Sequence, residues 1–566
     1  MNYLIILIEG GVAGSVVANR LTENSTINVL LLEAGPFHKD VIETTIPFYF
    51  WLGIPDTYNW NYTTIEQENA NNRTISYPRG HILGGSSAIN GMVYDRGTTD
   101  DYDKIANITG DSGWNWENML KYFEKLETFG PPADRHDTMG QYNPSFHGLS
   151  GPLNVSLPGF SQNIDAFVLQ TLNNRTYPYT EDPNTGTELG FGWQVSTIHK
   201  GTRTTAATAY LADKYLERPN LDIFYNAFVT RVIASNGSTI DTVEFHPVTD
   251  NEAPTLSIRA SREIVMSAGS VNTPHILLNS GIGDNATLMS LNITTVHHLP
   301  EVGKNMSDTT VMYVSWEVNS TETFDILLNN NTARAEAFAE WNATRTGRMA
   351  NGVINLSGLL RMNDSDPEVQ NIRQQFGDPD AGITAADFEM LFINGLGSPS
   401  NGSYFTMLFG VLSPLSRGSV TLNASNPAGP PLVDPNYLAS KYDTLVMRQA
   451  LLTGFNFLST EPWTSYLGTP VNGLAEVIAA LGTDNFTAMD DLIRNGIQNG
   501  AHLVSTSAMS PYGADWGVVD PDLHVKGLQG LRIIDASVLP FVPGGATQLP
   551  TYGLAERASD VIKSSW

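Results

Sequence analysis

Two loops of small residues stand out for the chemistry they could do. Tyr77-Pro-Arg-Gly-His-Ile-Leu-Gly-Gly-Ser-Ser-Ala-Ile-Asn-Gly-Met-Val93 sets paired glycines beside Ser86, Ser87 and Asn90. With no Cβ in the way, such a backbone can approach a bulky planar ligand closely, and the two serines and Asn90 would offer it short polar groups. Glu9-Gly-Gly-Val-Ala-Gly14 is the second loop, and Glu33 follows nineteen residues after Gly14. A glycine turn opening a helix, with an acid at that distance, suits a dinucleotide: the helix N-terminus faces the pyrophosphate and the acid takes the ribose hydroxyls.

The elements needed to position these groups can be read around them. Asn2 to Ile8 is a mostly apolar run of the kind a buried parallel strand requires, Val16, Val17 and Leu21 follow with helical spacing, and Ile27 to Leu32 is a second apolar run ending at Glu33. This is a βαβ unit. Further along lie Ser267-Ala-Gly-Ser-Val-Asn-Thr-Pro-His-Ile-Leu-Leu-Asn-Ser-Gly-Ile-Gly283, then Gly530-Leu-Arg-Ile-Ile-Asp-Ala-Ser-Val-Leu-Pro540 and Pro543-Gly-Gly-Ala-Thr-Gln548.

With these four elements in order, the chain resembles the glucose-methanol-choline (GMC) oxidoreductase family of flavoproteins, and within it the aryl-alcohol oxidases and pyranose dehydrogenases. The resemblance implies an α/β fold: a discontinuous Rossmann-like FAD-binding domain from 1–155, 205–300 and 496–566, with an α+β substrate-binding domain from 156–204 and 301–495. It implies FAD as cofactor, contacted by Gly11, Val12, Ala13 and Gly14 at the pyrophosphate turn and by Glu33 at the adenosine ribose. Ser86, Asn90, Gly91 and Val93 match the flavin loop, Val229 the adenine-contacting backbone, and Asp535 and Ala536 the C-terminal flavin strand. Ile89 stands where some members carry a flavin-linking histidine, so the FAD is expected to be non-covalent.

The implied reaction is oxidation of a primary alcohol or sugar hydroxyl to a carbonyl. A hydride passes to flavin N5, and oxygen or a quinone takes the electrons. Such chemistry needs a base, a role that typically contributes ~10²–10⁴ in rate. His502, in Ala501-His-Leu-Val-Ser-Thr-Ser-Ala-Met509, matches the family's catalytic histidine, although Leu503 replaces a proline and the spacing to Met509 is looser.

Two positions depart from the pattern. Ala546 stands where the family has a second active-site histidine or asparagine, and its methyl can neither accept a proton nor donate a hydrogen bond. Losing a contact of that kind costs roughly 1.5–3 kcal/mol, about one to two decades in rate. Glu9 stands at the first fingerprint glycine. A positive φ there costs about 1–2 kcal/mol, and a carboxylate about 4 Å from a pyrophosphate charge adds about 4 kcal/mol of repulsion unless the side chain turns away. These departures keep a second reading open: a non-redox lyase or cyclase on the same fold, or an impaired homologue.

Bulk properties set outer limits. A chain of 566 residues exceeds one ordinary core, and a net charge of −27 argues against nucleic acid or an anionic membrane as partner. There is no cysteine. Many Asn-x-Ser/Thr sequons, among them Asn61, Asn72, Asn107, Asn154, Asn174, Asn305, Asn342 and Asn485, suggest a glycosylated, secreted protein whose leader is missing from this sequence. The substrate domain is expected to contain strands at 314–318, 404–412 and 416–422 and a helix over 442–458, with 320–350 a loop over the site entrance. His297-His298 should lie in a surface strand; no third ligand is near, so no metal site is expected.

Overall fold

The computed structural model describes residues 3–175, 177–248, 254–396, 401–483 and 485–565. The chain opens with β1 (Ile5–Ile8), α1 (Val12–Leu21) and β2 (Val29–Glu33). It crosses to a second sheet with β3 (Gly190–Trp193), returns with β4 (Leu221–Tyr225) and β5 (Glu263–Met266), and crosses again with β6 (Thr310–Val318), β7 (Ile354–Leu360), β8 (Phe388–Ile393) and β9 (Tyr404–Val411). Helix α2 (Lys441–Phe457), β10 (Leu467–Pro470) and β11 (Gln498–Asn499) follow, and β12 (Leu531–Ile533) and α3 (Gln548–Ser564) bring the chain back.

The first sheet is parallel, in the order β4-β2-β1-β5-β12. Every residue of β1 and β2 is buried, as expected of strands covered on both faces, which read as continuous aliphatic runs. Gly14 allows the first turn to close: a Cβ there would lie 1.9 Å from the Glu9 carbonyl oxygen. Helix α3 packs on α1, and Arg20 pairs with the buried Glu556 at 2.7 Å.

The second sheet is antiparallel, in the order β10-β6-β9-β8-β7-β3, with β11 also pairing β6. Its strands alternate: Met312, Val314, Met390, Phe392, Met407 and Phe409 enter a core beneath α2, while the residues between them face the other way. Helix and sheet touch closely, since a Cβ on Gly454 would come within 2.3 Å of the Phe409 ring. The architecture is α/β, with one parallel and one antiparallel sheet.

Most expected elements are present with shifted ends: 310–318 for 314–318, 404–411 for 404–412, 441–457 for 442–458 and 419–421 for 416–422. His297–His298 does form a short strand, paired with Ile282–Gly283. The segment 320–350 is not the expected loop. It holds helices Asp325–Asn329 and Asn331–Thr344. The second is capped by the Asn330 side chain, which accepts from the Thr332 and Ala333 N–H groups, and is tied down by Trp341 Nε1–H donating to the Gly201 carbonyl at 2.7 Å. Among the described residues, no helix is long and apolar enough to cross a membrane.

Candidate active site

A cavity of about 610 Å³ lies between the carboxyl ends of the parallel strands and the inner face of the antiparallel sheet. Glu9 and Glu33 line one end. Gly11, Val12 and Ala13, the loop from Gly85 to Val93, and Asp535 and Ala536 line its length, with His502, Glu389 and Ala546 farther along. Open α/β sheets commonly bind ligands at this end of their strands. Of the residues expected to meet the cofactor, Gly14 and Val229 are not on the wall: Gly14 packs against Glu9, and Val229 is buried opposite Phe245 in a separate sheet.

The floor is a cradle of glycines. A Cβ on Gly85 would stand 2.8 Å from Gly11 Cα, so the two glycine turns touch. Gly269, at φ +78°, has nothing within 4 Å of where its Cβ would be. The N-terminus of α1 opens onto this cradle with no acidic residue in its first turn, an arrangement that attracts anions. Side chains here would fill the room that a pyrophosphate and a planar ring need, so the residues fit FAD.

At the end of the cavity lined by Glu9, Glu33 is fixed by two backbone donors, Gly10 N–H at 2.8 Å and Gly35 N–H at 2.7 Å. Glu9 adopts φ +72°, the strained conformation its glycine-type position demands. Its carboxyl turns to accept from Ala34 N–H at 3.2 Å. Burial, and then the neighbouring Glu33 charge, hold Glu9 well above the usual carboxylate range, so a proton shared in this pair relieves the repulsion expected of an ionised Glu9.

The flavin loop is organised around Asn90. Its Oδ1 accepts from Met92 N–H at 3.1 Å and from Arg203 at 2.9 Å, Arg203 also donates to the Asn90 carbonyl at 2.7 Å, and the Asn90 amide donates to Gln548. Arg203 is buried with no acid paired to it among the described residues, and burial pushes its guanidinium down to about 9. At the far end of the loop, Phe50 approaches to 3.6 Å from where a Gly91 Cβ would be. Asp535 ties the last strand to the helix Gly269–Asn279, accepting from Gly269 N–H at 3.0 Å and Thr273 Oγ1–H at 2.6 Å.

His502 sits on the cavity wall next to Ala501, which has φ +63°. Its backbone N–H donates to Asp308 Oδ1 at 2.7 Å, and its Nδ1 lies 2.8 Å from Thr309 Oγ1. Burial, and then the Arg79 charge, lower its pKa to about 4. The imidazole is therefore neutral at ordinary pH and able to accept a proton. Ala546 lies on the same wall and offers only a methyl.

Residues 3–311 and 414–555 match the two GMC oxidoreductase domains. The chain belongs to the GMC oxidoreductase family. It is 45% identical over 570 residues to dehydrogenase eriK of Hericium erinaceus, with 100% of this chain and 94% of that protein covered. It is 36% identical over 590 residues to a pyranose dehydrogenase of Agaricus campestris, with the same coverage. A solved fungal aryl-alcohol oxidase superposes with a TM-score of 0.86 at 26% identity, covering 100% of this chain and 99% of that one. The protein is thus a GMC flavin oxidoreductase of the alcohol dehydrogenase and oxidase type, and FAD is the cofactor typical of the family.

Several residues that line or brace the cavity escaped the sequence reading. Arg203 and Gln548 reach Asn90 from far along the chain, and Thr309, the residue before β6, reaches His502. Glu389 and Tyr313 line the cavity from strands recognisable only as apolar runs. Asp378, Asp380 and Asp387 gather closely enough to hold a cation, but Arg361 and Arg373 pair with all three and they are not on the cavity wall.

Proposed function

We propose that this protein oxidises a primary alcohol or a sugar hydroxyl to a carbonyl, with non-covalently bound FAD accepting the hydride and His502 accepting the hydroxyl proton. The observation that carries this is the neutral, accessible His502 on the wall of the cavity that holds the glycine cradle. When bound, FAD supplies the two-electron acceptor. Asn90, Arg203 and Gln548 brace the loop against it, and Glu33 takes the adenosine ribose. The apolar wall of Phe50, Leu391, Ile393 and Leu408 keeps water from the reacting carbon.

Ile89, which also lines the cavity, supports a cofactor released by acid rather than bonded to the protein. The sequence is nearer to proteins named dehydrogenases, at 45% and 36% identity, than to the aryl-alcohol oxidase at 26%, which favours a quinone over oxygen as acceptor. Of the sequon asparagines named above, all are exposed except the half-buried Asn154, in keeping with a glycosylated, secreted enzyme.

The test is the visible spectrum of purified protein before and after anaerobic addition of 4-methoxybenzyl alcohol or D-glucose. Flavin bands that bleach with either, and reoxidise with benzoquinone, support the reading. Bands that stay oxidised with both, in protein that does carry flavin, would sink it and favour the lyase alternative.

A further inference from the structure

If the site oxidises an alcohol, Ala546 leaves the substrate oxygen with His502 and no second polar partner. The antiparallel sheet supplies a candidate. On its cavity face stand Val311 and Tyr313 of β6, Leu391 and Ile393 of β8 and Leu408 of β9. Glu389 occupies the same face, one step before Leu391 in the two-residue alternation of β8, and is the carboxylic acid among these side chains. A lone acid in an apolar wall is costly unless something uses it.

Its neighbours leave room for it. Glu389 pairs across the sheet with Gly410, which pairs in turn with Val311. A Cβ on Gly410 would come within 2.5 Å of Glu389 Oε1, so the missing side chain lets the carboxyl lie across β9 toward β6. On the other side, a Cβ on Gly545 would stand 3.6 Å from Glu389 Oε2, and the next residue is Ala546. The carboxyl therefore sits beside the turn that should have carried the missing group. It hydrogen-bonds to no described residue and is 8% exposed, into the cavity.

We propose that Glu389 is the second catalytic group of this site, its carboxyl hydrogen-bonding to the substrate oxygen in place of the side chain that Ala546 lacks. An ionised carboxylate would repel an oxygen on which negative charge builds; a protonated one donates to it. Burial, and then the Asp95 carboxylate, push Glu389 up to about 8. Asp95 faces it from the turn where it accepts from Gly97 and Gly545 N–H, and Tyr313 faces it from β6. Asp101 and Glu188 interact with Asp95 from behind, while Arg79 and the neutral His502 share the cavity. In the reaction the hydroxyl proton goes to His502 and the hydride leaves the carbon for the cofactor. Glu389 keeps its proton and follows the oxygen from alcohol to carbonyl.

The experiment uses FAD-loaded protein and two readouts. Anaerobic flavin reduction by 4-methoxybenzyl alcohol and D-glucose is expected to slow about 10–100-fold in Glu389→Leu, and to recover at least tenfold when Ala546→His is added. Glu389→Gln, nearly isosteric and still a donor, should keep most of the rate. Benzoate binding to the oxidised enzyme, followed by the flavin difference spectrum, reads the contact without turnover. It should weaken about tenfold per pH unit above pH 8, and that slope should vanish in Glu389→Gln.

Wild-type reduction rates in Glu389→Leu, an unchanged benzoate slope in Glu389→Gln, or no benzoate binding by the wild type at pH 6 would each overturn the proposal. Glu389-dependent benzoate binding without reduction by either alcohol would support the contact and sink the alcohol reading instead.

Discussion

His502 Nδ1 lies 2.8 Å from Thr309 Oγ1, which leaves Nε2 as the ring nitrogen without this partner. In the tautomer that donates Nδ1–H to the threonine hydroxyl, Nε2 keeps its lone pair free for a substrate proton, and this is the tautomer the proposed reaction requires. Removing the acceptor with Thr309→Val should lower the flavin-reduction rate about tenfold, and His502→Ala should lower it ~10²–10⁴-fold, with FAD content unchanged in both. Burial and Arg79 hold His502 at about 4, and a base must be unprotonated. The rate should therefore rise as pH passes about 4 and reach its plateau by about pH 6, as read by anaerobic stopped-flow.

Glu9 should make FAD binding weaken with rising pH. Ionising it places a second negative charge beside Glu33, at the end of the cavity where the pyrophosphate turn begins. Glu9→Gly removes both that charge and the strain of φ +72°. FAD fluorescence titrations of apoprotein at pH 5 and pH 9 should show an affinity gain of about 10–100-fold for Glu9→Gly, with a flatter pH response. A variant that binds no tighter than wild type at pH 9 would refute this.

Buried Glu389 should also be a stability liability, with a definite sign. An unfolded glutamate titrates near 4.3, whereas the folded one is held at about 8. Below the first value both states are protonated and nothing is lost. Between the two the unfolded chain releases its proton while the folded one keeps it, so stability falls with pH and then levels off. Glu389→Gln should leave the melting temperature nearly unchanged at pH 4 and raise it at pH 8, by an amount corresponding to about 2–5 kcal/mol. Scanning calorimetry at the two pH values checks it.

Arg203 braces the flavin loop without an acid to neutralise it, and two of its nitrogens find no hydrogen-bond partner among the described residues. Arg203→Lys keeps the charge but cannot donate to both Asn90 oxygens in the same fork. FAD affinity should fall about tenfold, and the visible circular dichroism of the bound flavin should change. Unaltered affinity and spectrum would show that Asn90 is held well enough by Gln548 and its own turn.

The sequence is most legible where burial is symmetrical or the pattern is local. Ile5–Ile8, the glycine turn, α1 and Val29–Glu33 could be read directly, because parallel strands covered on both faces are continuous aliphatic runs and their ligand groups follow at short intervals. The helix Lys441–Phe457 was readable for its length. Helix Asn331–Thr344 was not, since its alanines, asparagines and threonines put no apolar stripe on one side; Trp341 and the Asn330 cap hold it in place. Glu389 was hidden for a related reason. In Phe388-Glu389-Met390-Leu391-Phe392-Ile393 both faces are buried, so the alternation cannot say which face meets a cavity. Arg203 and Gln548 are contacts made only by the fold, 113 and 458 residues from Asn90 in the chain.

The order in which strands join the parallel sheet has a consequence for how the protein is made. β1 lies between β2 and β5, and β5 pairs on its other side with β12, which comes far later in the chain and is followed by α3. Until Leu531–Ile533 is made, the edge of β5 (Glu263–Met266) is unpaired and the turn at Gly269 lacks Asp535. Non-local pairing of this kind folds slowly and exposes aggregation-prone edges. The cavity wall is thus closed only once the late strand has joined the N-terminal unit, and an amino-terminal fragment, however well its first unit matches a dinucleotide fold, would lack Asp535 and Ala536.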